Sequence, residues 1–238
     1  MKQDDGKRQK KVVKRRAQVR HGQAGPSGQV RALRHVYQAR SYPIEGCWAQ
    51  EGWENNGLAV VVVARRQPDG NVVFGNYMVD YYCLGLKDTY YNADIPVGQF
   101  HRDYLPKMFR SAGKPMGISP ALAHEIIYGG IEYAARFGFD PQDDYKLSQH
   151  VLDPPDLHAR TGTVKFGLEG KPLFVAGPYD DVDAILGKLE RTAGEGNYHY
   201  IFPIAESGSG SGGREDEDFD DMFAGTDVEP VDNSPSVW

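Results

Sequence analysis

Residues 57–88, GLAVVVVARRQPDGNVVFGNYMVDYYCLGLKD, constrain this chain more than any other stretch. Leu58 to Ala64 is an unbroken apolar run rich in valine. β-branched side chains suit a pleated surface, and a run without polar alternation predicts a strand covered on both faces. Gln67-Pro68-Asp69-Gly70 then supplies a preset φ and a residue that tolerates positive φ, which predicts a hairpin. The second strand of that hairpin reads from about Asn71 to Leu86, with Asp80 among Met78, Tyr82 and Leu84 at period two. A carboxylate in such company is costly to bury alone, so Asp80 needs a partner or a chemical role.

The remaining elements read outward from the hairpin. A short amphipathic helix is expected over about 29–40, ended by Tyr42-Pro43, and a first strand over Ile44 to Ala49. The 89–118 segment reads as the least regular part of the body, with short helical pieces around Pro106. Ser119-Pro120 opens a long helix that Gly138 closes. Ala123, Ile127, Ile131, Ala134 and Phe137 form its core stripe, and Arg136 is placed to pair with Glu132. Gly129-Gly130 inside this helix costs about 2 kcal/mol of propensity relative to two alanines, which signals a close approach of backbone or ligand. Strands at 163–166 and 172–176, a helix from Asp181 to about Thr192 with Asp180 as cap, and a strand from Tyr198 to Ile204 complete the body. The expected fold class is α+β: one domain over 29–205, with a mixed, largely antiparallel sheet packed by helices.

Charge divides the chain differently. Residues 1–20 hold nine Lys/Arg against Asp4 and Asp5, whereas 206–238 hold ten carboxylates against Arg214, leaving the body at −4 of the net −6. Residues 1–28 read as a disordered basic arm and 206–238 as a Gly/Ser linker with a disordered acidic tail, since neither can bury enough apolar surface to offset ordering entropy. No run approaches the roughly 18 apolar residues of a membrane helix. Two cysteines, Cys47 and Cys83, sit in apolar strand contexts as small hydrophobes, and this usage suits a reducing cytoplasm.

No phosphate loop, dinucleotide fingerprint, zinc-spaced Cys/His set or nucleophile elbow occurs. The function read from the residues is nucleic-acid association, with RNA favoured. Lys10, Lys11, Lys14, Arg15 and Arg16 of the arm would contact phosphate. Arg102, Lys107, Arg110 and Lys114, interleaved with Tyr90, Tyr91, Phe100, Tyr104 and Phe109, suit phosphate contact beside base stacking. The alternative for the same rings is a layer that plugs the sheet while the cations stay wet.

An enzymatic rival rests on element order. Three antiparallel strands, a long helix, strand, helix, strand is compatible with a ribonuclease-H-like sheet, in which carboxylates collect magnesium or manganese for phosphodiester cleavage. Asp80, Glu125, Glu132 and Asp88 are the candidates for that role, and only for that role. A third class is a non-catalytic adaptor, with the acidic segment 214–223 as a docking site for a protein partner. Whether the chain is an enzyme, and which metal it would use, is open at this level. Across VDYYCLGLKD (79–88), GGIEYAARFGFDP (129–141) and GKPLFVAGP (170–178), the body from Tyr42 to Ile204 resembles an uncharacterised family of bacterial proteins with no known activity. That resemblance carries over no functional residue.

Overall fold

The valine run is the centre of the sheet. In the computed structural model, which describes residues 26–178 and 180–202, β2 (Leu58–Arg66) pairs antiparallel with β3 (Asn71–Asp80) from Leu58↔Asp80 to Arg66↔Val72. β1 (Ile44–Gln50) lies on its other side, β4 (Gly85–Pro96) beyond β3, and β5 (Pro115–Ile118) beyond β1. The order is β4-β3-β2-β1-β5, and every pairing is antiparallel.

Both faces are covered, which is why the run lacks polar alternation. Val61, Val63, Val73, Tyr77 and Val79 face one layer, made by α1 (Pro26–Gln38), the long helix α4 (Pro120–Ala135) and the segment around Val151 and Leu152. Val62, Ala64, Val72 and Phe74 face the other, made by α2 (Val97–Gln99), a π-helical turn over Phe100–Tyr104 and α3 (Leu105–Met108). Each fully buried valine contributes roughly 1.5–3 kcal/mol by leaving water. A third, smaller cluster joins Cys83, Phe174 and Leu189; its helix, Val182–Ala193, follows α5 (Tyr145–Ser148) in the chain and is α6. There β6 (Leu173–Val175) pairs parallel with β7 (His199–Ile201) as a separate two-stranded sheet. The single α+β domain with a largely antiparallel sheet is therefore observed. Residues 26–28, expected to belong to the disordered arm, are instead the start of α1, whereas residues 1–25 of the arm, the linker and the acidic tail lie outside the described residues.

Five further expectations change, the smallest being that Asp181 rather than Asp180 caps α6, its Oδ1 accepting from Ala184 N–H at 3.2 Å. The strand begun at Asn71 does not run to Leu86: it stops at Asp80, turns through Tyr81–Leu84 and returns as β4. The carboxylate Oδ1 of Asp80 accepts from the N–H groups of Tyr82 (3.1 Å) and Cys83 (2.9 Å), and Gly85 leaves the turn with φ 68°. The 89–118 segment is more regular than its composition suggests, because β4 occupies its first part and β5 its end. Residues 163–166 are not a strand; 152–172 contain only the isolated Leu168↔Lys171 bridge. Lastly, the strands after α4 stay out of the main sheet, so the ribonuclease-H-like arrangement is not formed.

The α4 boundaries follow the sequence. Ser119 Oγ accepts from Leu122 N–H at 3.2 Å, Pro120 starts the helix, and Gly138 at φ 78° follows its last turn. The glycine pair is explained by two close approaches on different sides. A Cβ on Gly130 would lie 2.5 Å from Val79 Cγ1, toward the sheet, and one on Gly129 would lie 2.2 Å from Phe166 Cζ, toward the irregular segment.

Candidate functional site

The carboxylates that sequence singles out are dispersed among structural duties. Asp88 lies across from Met78, hence on the sheet face turned away from α4, and its Oδ1 accepts from Thr89 N–H at 2.9 Å. Glu125, on α4, is buried and anchors the irregular segment. Its Oε2 accepts from both the N–H (2.6 Å) and the hydroxyl of Thr161, and its Oε1 accepts from Val164 N–H at 3.4 Å. Burial alone would raise its pKa, but these hydrogen bonds outweigh it and hold the carboxyl below its usual range. Glu132 pairs with Arg160 at 2.6 Å rather than with Arg136, whose guanidinium lies over the Tyr133 ring. No three of Asp80, Asp88, Glu125 and Glu132 bring ligand atoms within 4.8 Å of one another.

Asp80 is the turn cap described above, and burial pushes its pKa up to about 6 from 3.8, against the lowering effect of the backbone donors. A folded-state pKa above the unfolded one adds stability that is complete below the unfolded value and is lost as pH rises through the folded one. Asp80→Asn keeps an oxygen for the turn and removes the buried charge. We expect it to raise stability by on the order of 2 kcal/mol near neutral pH, with the gain shrinking to nothing by about pH 4. Thermal melts of both proteins across that range check it. A variant that melts below the parent at neutral pH would show that the turn depends on the charge itself.

The basic segment also resolves into parts. Phe100 and Phe109 are fully buried against Phe74 and the rest of the second sheet face, and Tyr91 is buried on β4. Phe100 and Phe109 thus plug the sheet, while Tyr90 and Tyr104 pack against the same face half-buried. Arg102 forks onto its neighbour Asp103. Arg110 and Lys114 are exposed and Lys107 half-buried, and none of the three has an ion pair among the described residues. Lys10, Lys11, Lys14, Arg15 and Arg16 lie outside the described residues.

Sequence reasoning missed two constellations on the α4 side. The first is a cleft of about 710 Å³ between α4 and the irregular segment, lined by Glu132, Tyr133, Arg136, Arg160, Lys165 and Phe166, among others. Tyr133 and Phe166 stack at 5.9 Å on its wall. The second is a polar knot at the start of the irregular segment. Arg65, buried on β2, donates Nε to Val151 O (2.6 Å), Nη1 to Tyr42 O (2.8 Å) and Nη2 to Asp153 Oδ1. Asp153 Oδ2 meets His158 Nε2 at 2.9 Å, and Asp153 N–H donates to His124 Nε2 at 2.9 Å. His124 Nδ1 donates to Pro120 O at 2.6 Å, which fixes its tautomer. Burial lowers the His124 pKa, so this imidazole is neutral at neutral pH. Burial would raise Asp153, but His158 and Arg65 hold it lower, so it is ionised. His124, Asp153 and His158 are the one trio of potential metal-ligating residues among the described residues whose ligand atoms lie within 4.8 Å of one another. Twenty-eight intervening residues separate the first from the second, so no short motif announced them.

Comparison with protein-family models, curated proteins and solved structures finds no match. No described helix is long and apolar enough to cross a membrane.

Proposed function

We propose that this chain associates with nucleic acid through phosphate contacts and does not cleave it. The observation that carries the reading is the state of Lys107, Arg110 and Lys114: cations without described acidic partners, on a layer in which Phe100 and Phe109 are buried and Tyr90 and Tyr104 half-buried. The nine Lys/Arg of residues 1–20 supply a second cationic element. Ring stacking in 89–118 is what would single out RNA; with Phe100 and Phe109 buried, the reading extends to DNA and RNA alike. Cleavage is left out because Glu125 and Asp80 commit their oxygens to backbone donors and the four carboxylates do not converge.

Binding of this kind releases counterions, so the logarithm of affinity should fall linearly with the logarithm of salt. Replacing Lys107, Arg110 and Lys114 together by alanine should lower that slope by about 2 to 3, since each neutralised duplex phosphate contributes roughly 0.9. Removal of residues 1–20 should lower it further. Fluorescence anisotropy with a labelled duplex and a labelled single strand over a salt series measures both. A full-length protein with no salt slope, or slopes unchanged in both variants, would sink the proposal.

A further inference from the structure

The geometry points to a cation site built by His124, Asp153 and His158, which takes a divalent ion of the zinc class and staples the irregular 152–172 segment to α4. The donor set is two imidazoles and one carboxylate, on atoms within 4.8 Å of one another. Nitrogen donors of this kind suit zinc and its neighbours, whereas magnesium and calcium prefer oxygen alone.

The surroundings supply what ligands of this type need. His124 Nδ1 donates to Pro120 O, which makes Nε2 the lone-pair nitrogen, the usual outer-shell support of a ligating histidine. Asp153 divides its two oxygens: Oδ1 stays on the Arg65 guanidinium, and Oδ2 faces His158. A carboxylate gripped at both oxygens keeps its orientation when an ion arrives. His158 follows the exposed Pro154-Pro155-Asp156-Leu157 loop and is itself part-exposed, so an ion reaches the trio from solvent.

Two features oppose loading. Asp153 N–H occupies the His124 Nε2 lone pair at 2.9 Å and must give way, and the Arg65 charge lies on the far oxygen of Asp153. The first is one hydrogen bond on an irregular segment. The second is already balanced by Asp153 and by the carbonyls of Val151 and Tyr42. The functional consequence would be local. Residues 152–172 carry no helix or strand, and at this end Asp153 is tied to α4 by its N–H on His124 Nε2 and by its carbonyl, which accepts from Tyr128 Oη at 2.7 Å.

The test uses tag-free full-length protein, dialysed against zinc and then against metal-free buffer, with bound metal counted by mass spectrometry. We expect one equivalent of zinc, a melting temperature raised by about 5 °C at saturating zinc, and no such rise with magnesium. His158→Ala should abolish both the retained zinc and the shift, while His150→Ala, outside the trio, should leave them intact. The His158 side chain meets Asp153, which keeps Arg65, so this variant should fold; cobalt substitution then gives a visible tetrahedral spectrum in the parent only. Absence of retained zinc in the parent, equal retention in His158→Ala, or an equal shift with magnesium would overturn the site.

Discussion

Replacing Asp153 by alanine should destabilise the domain by about 3–5 kcal/mol, because it strands a buried guanidinium. The Arg65 side chain is only 3% exposed, and of its three acceptors Asp153 is the one that carries charge. Removing one partner of a buried pair costs far more than the pair contributes, since desolvation of the survivor is no longer offset. Arg65→Met combined with Asp153→Leu should recover most of the loss. Denaturant titrations of the parent, both single variants and the double variant form the cycle that reads this coupling. A loss below about 1 kcal/mol for Asp153→Ala would mean that Arg65 reaches water or another acceptor, and that the knot does not organise this layer.

The contrast between Arg65 and the valines beside it shows what sequence could and could not convey. Val61 to Val63 announced their environment because burial on both faces is written in consecutive residues. The Ser119 cap and Gly138 were equally local, and α4 fell where they placed it. Arg65 directly follows the same apolar run and is buried with it, but its charged partner lies 88 residues away, beyond any local signal. His124 and Asp153 escaped notice for the same reason: their relation is made by packing, not spacing. Asp80 was marked correctly as a carboxylate that needs an occupation. Its partners are the N–H groups of the next few residues, a turn hidden inside what looks like one continuous strand. The rings of 89–118 carried the right identities without the direction in which they point. Only the structure turns Phe100 and Phe109 inward and leaves Arg110 and Lys114 outside.

Glycines give the second large effect, and they separate strain in the core from strain on the surface. Gly85 opens β4 at φ 68°, where an L side chain is disfavoured by about 1–2 kcal/mol. A Cβ there would also lie 2.6 Å from Ala134 Cβ and 2.9 Å from Gly130 O, so the clash is with helix backbone that cannot step aside. Overpacking of this kind adds roughly 1–3 kcal/mol, and Gly85→Ala should cost about 3 kcal/mol in all, lowering the melting temperature by about 6–12 °C. Gly129→Ala meets equally short contacts, 2.2 Å to Phe166 Cζ and 2.8 Å to Arg160 Nη1, but both belong to side chains of the irregular segment. That segment can lift, and the alanine regains about 1 kcal/mol of helix propensity. The expected result is a melting temperature within about 2 °C of the parent, together with faster trypsin cleavage at the exposed Arg160 and Lys165 as the segment loosens. Reversed outcomes, with Gly129→Ala strongly destabilising and Gly85→Ala silent, would place the rigid contact between α4 and 152–172 and would leave the approach of β4 to α4 as the yielding one.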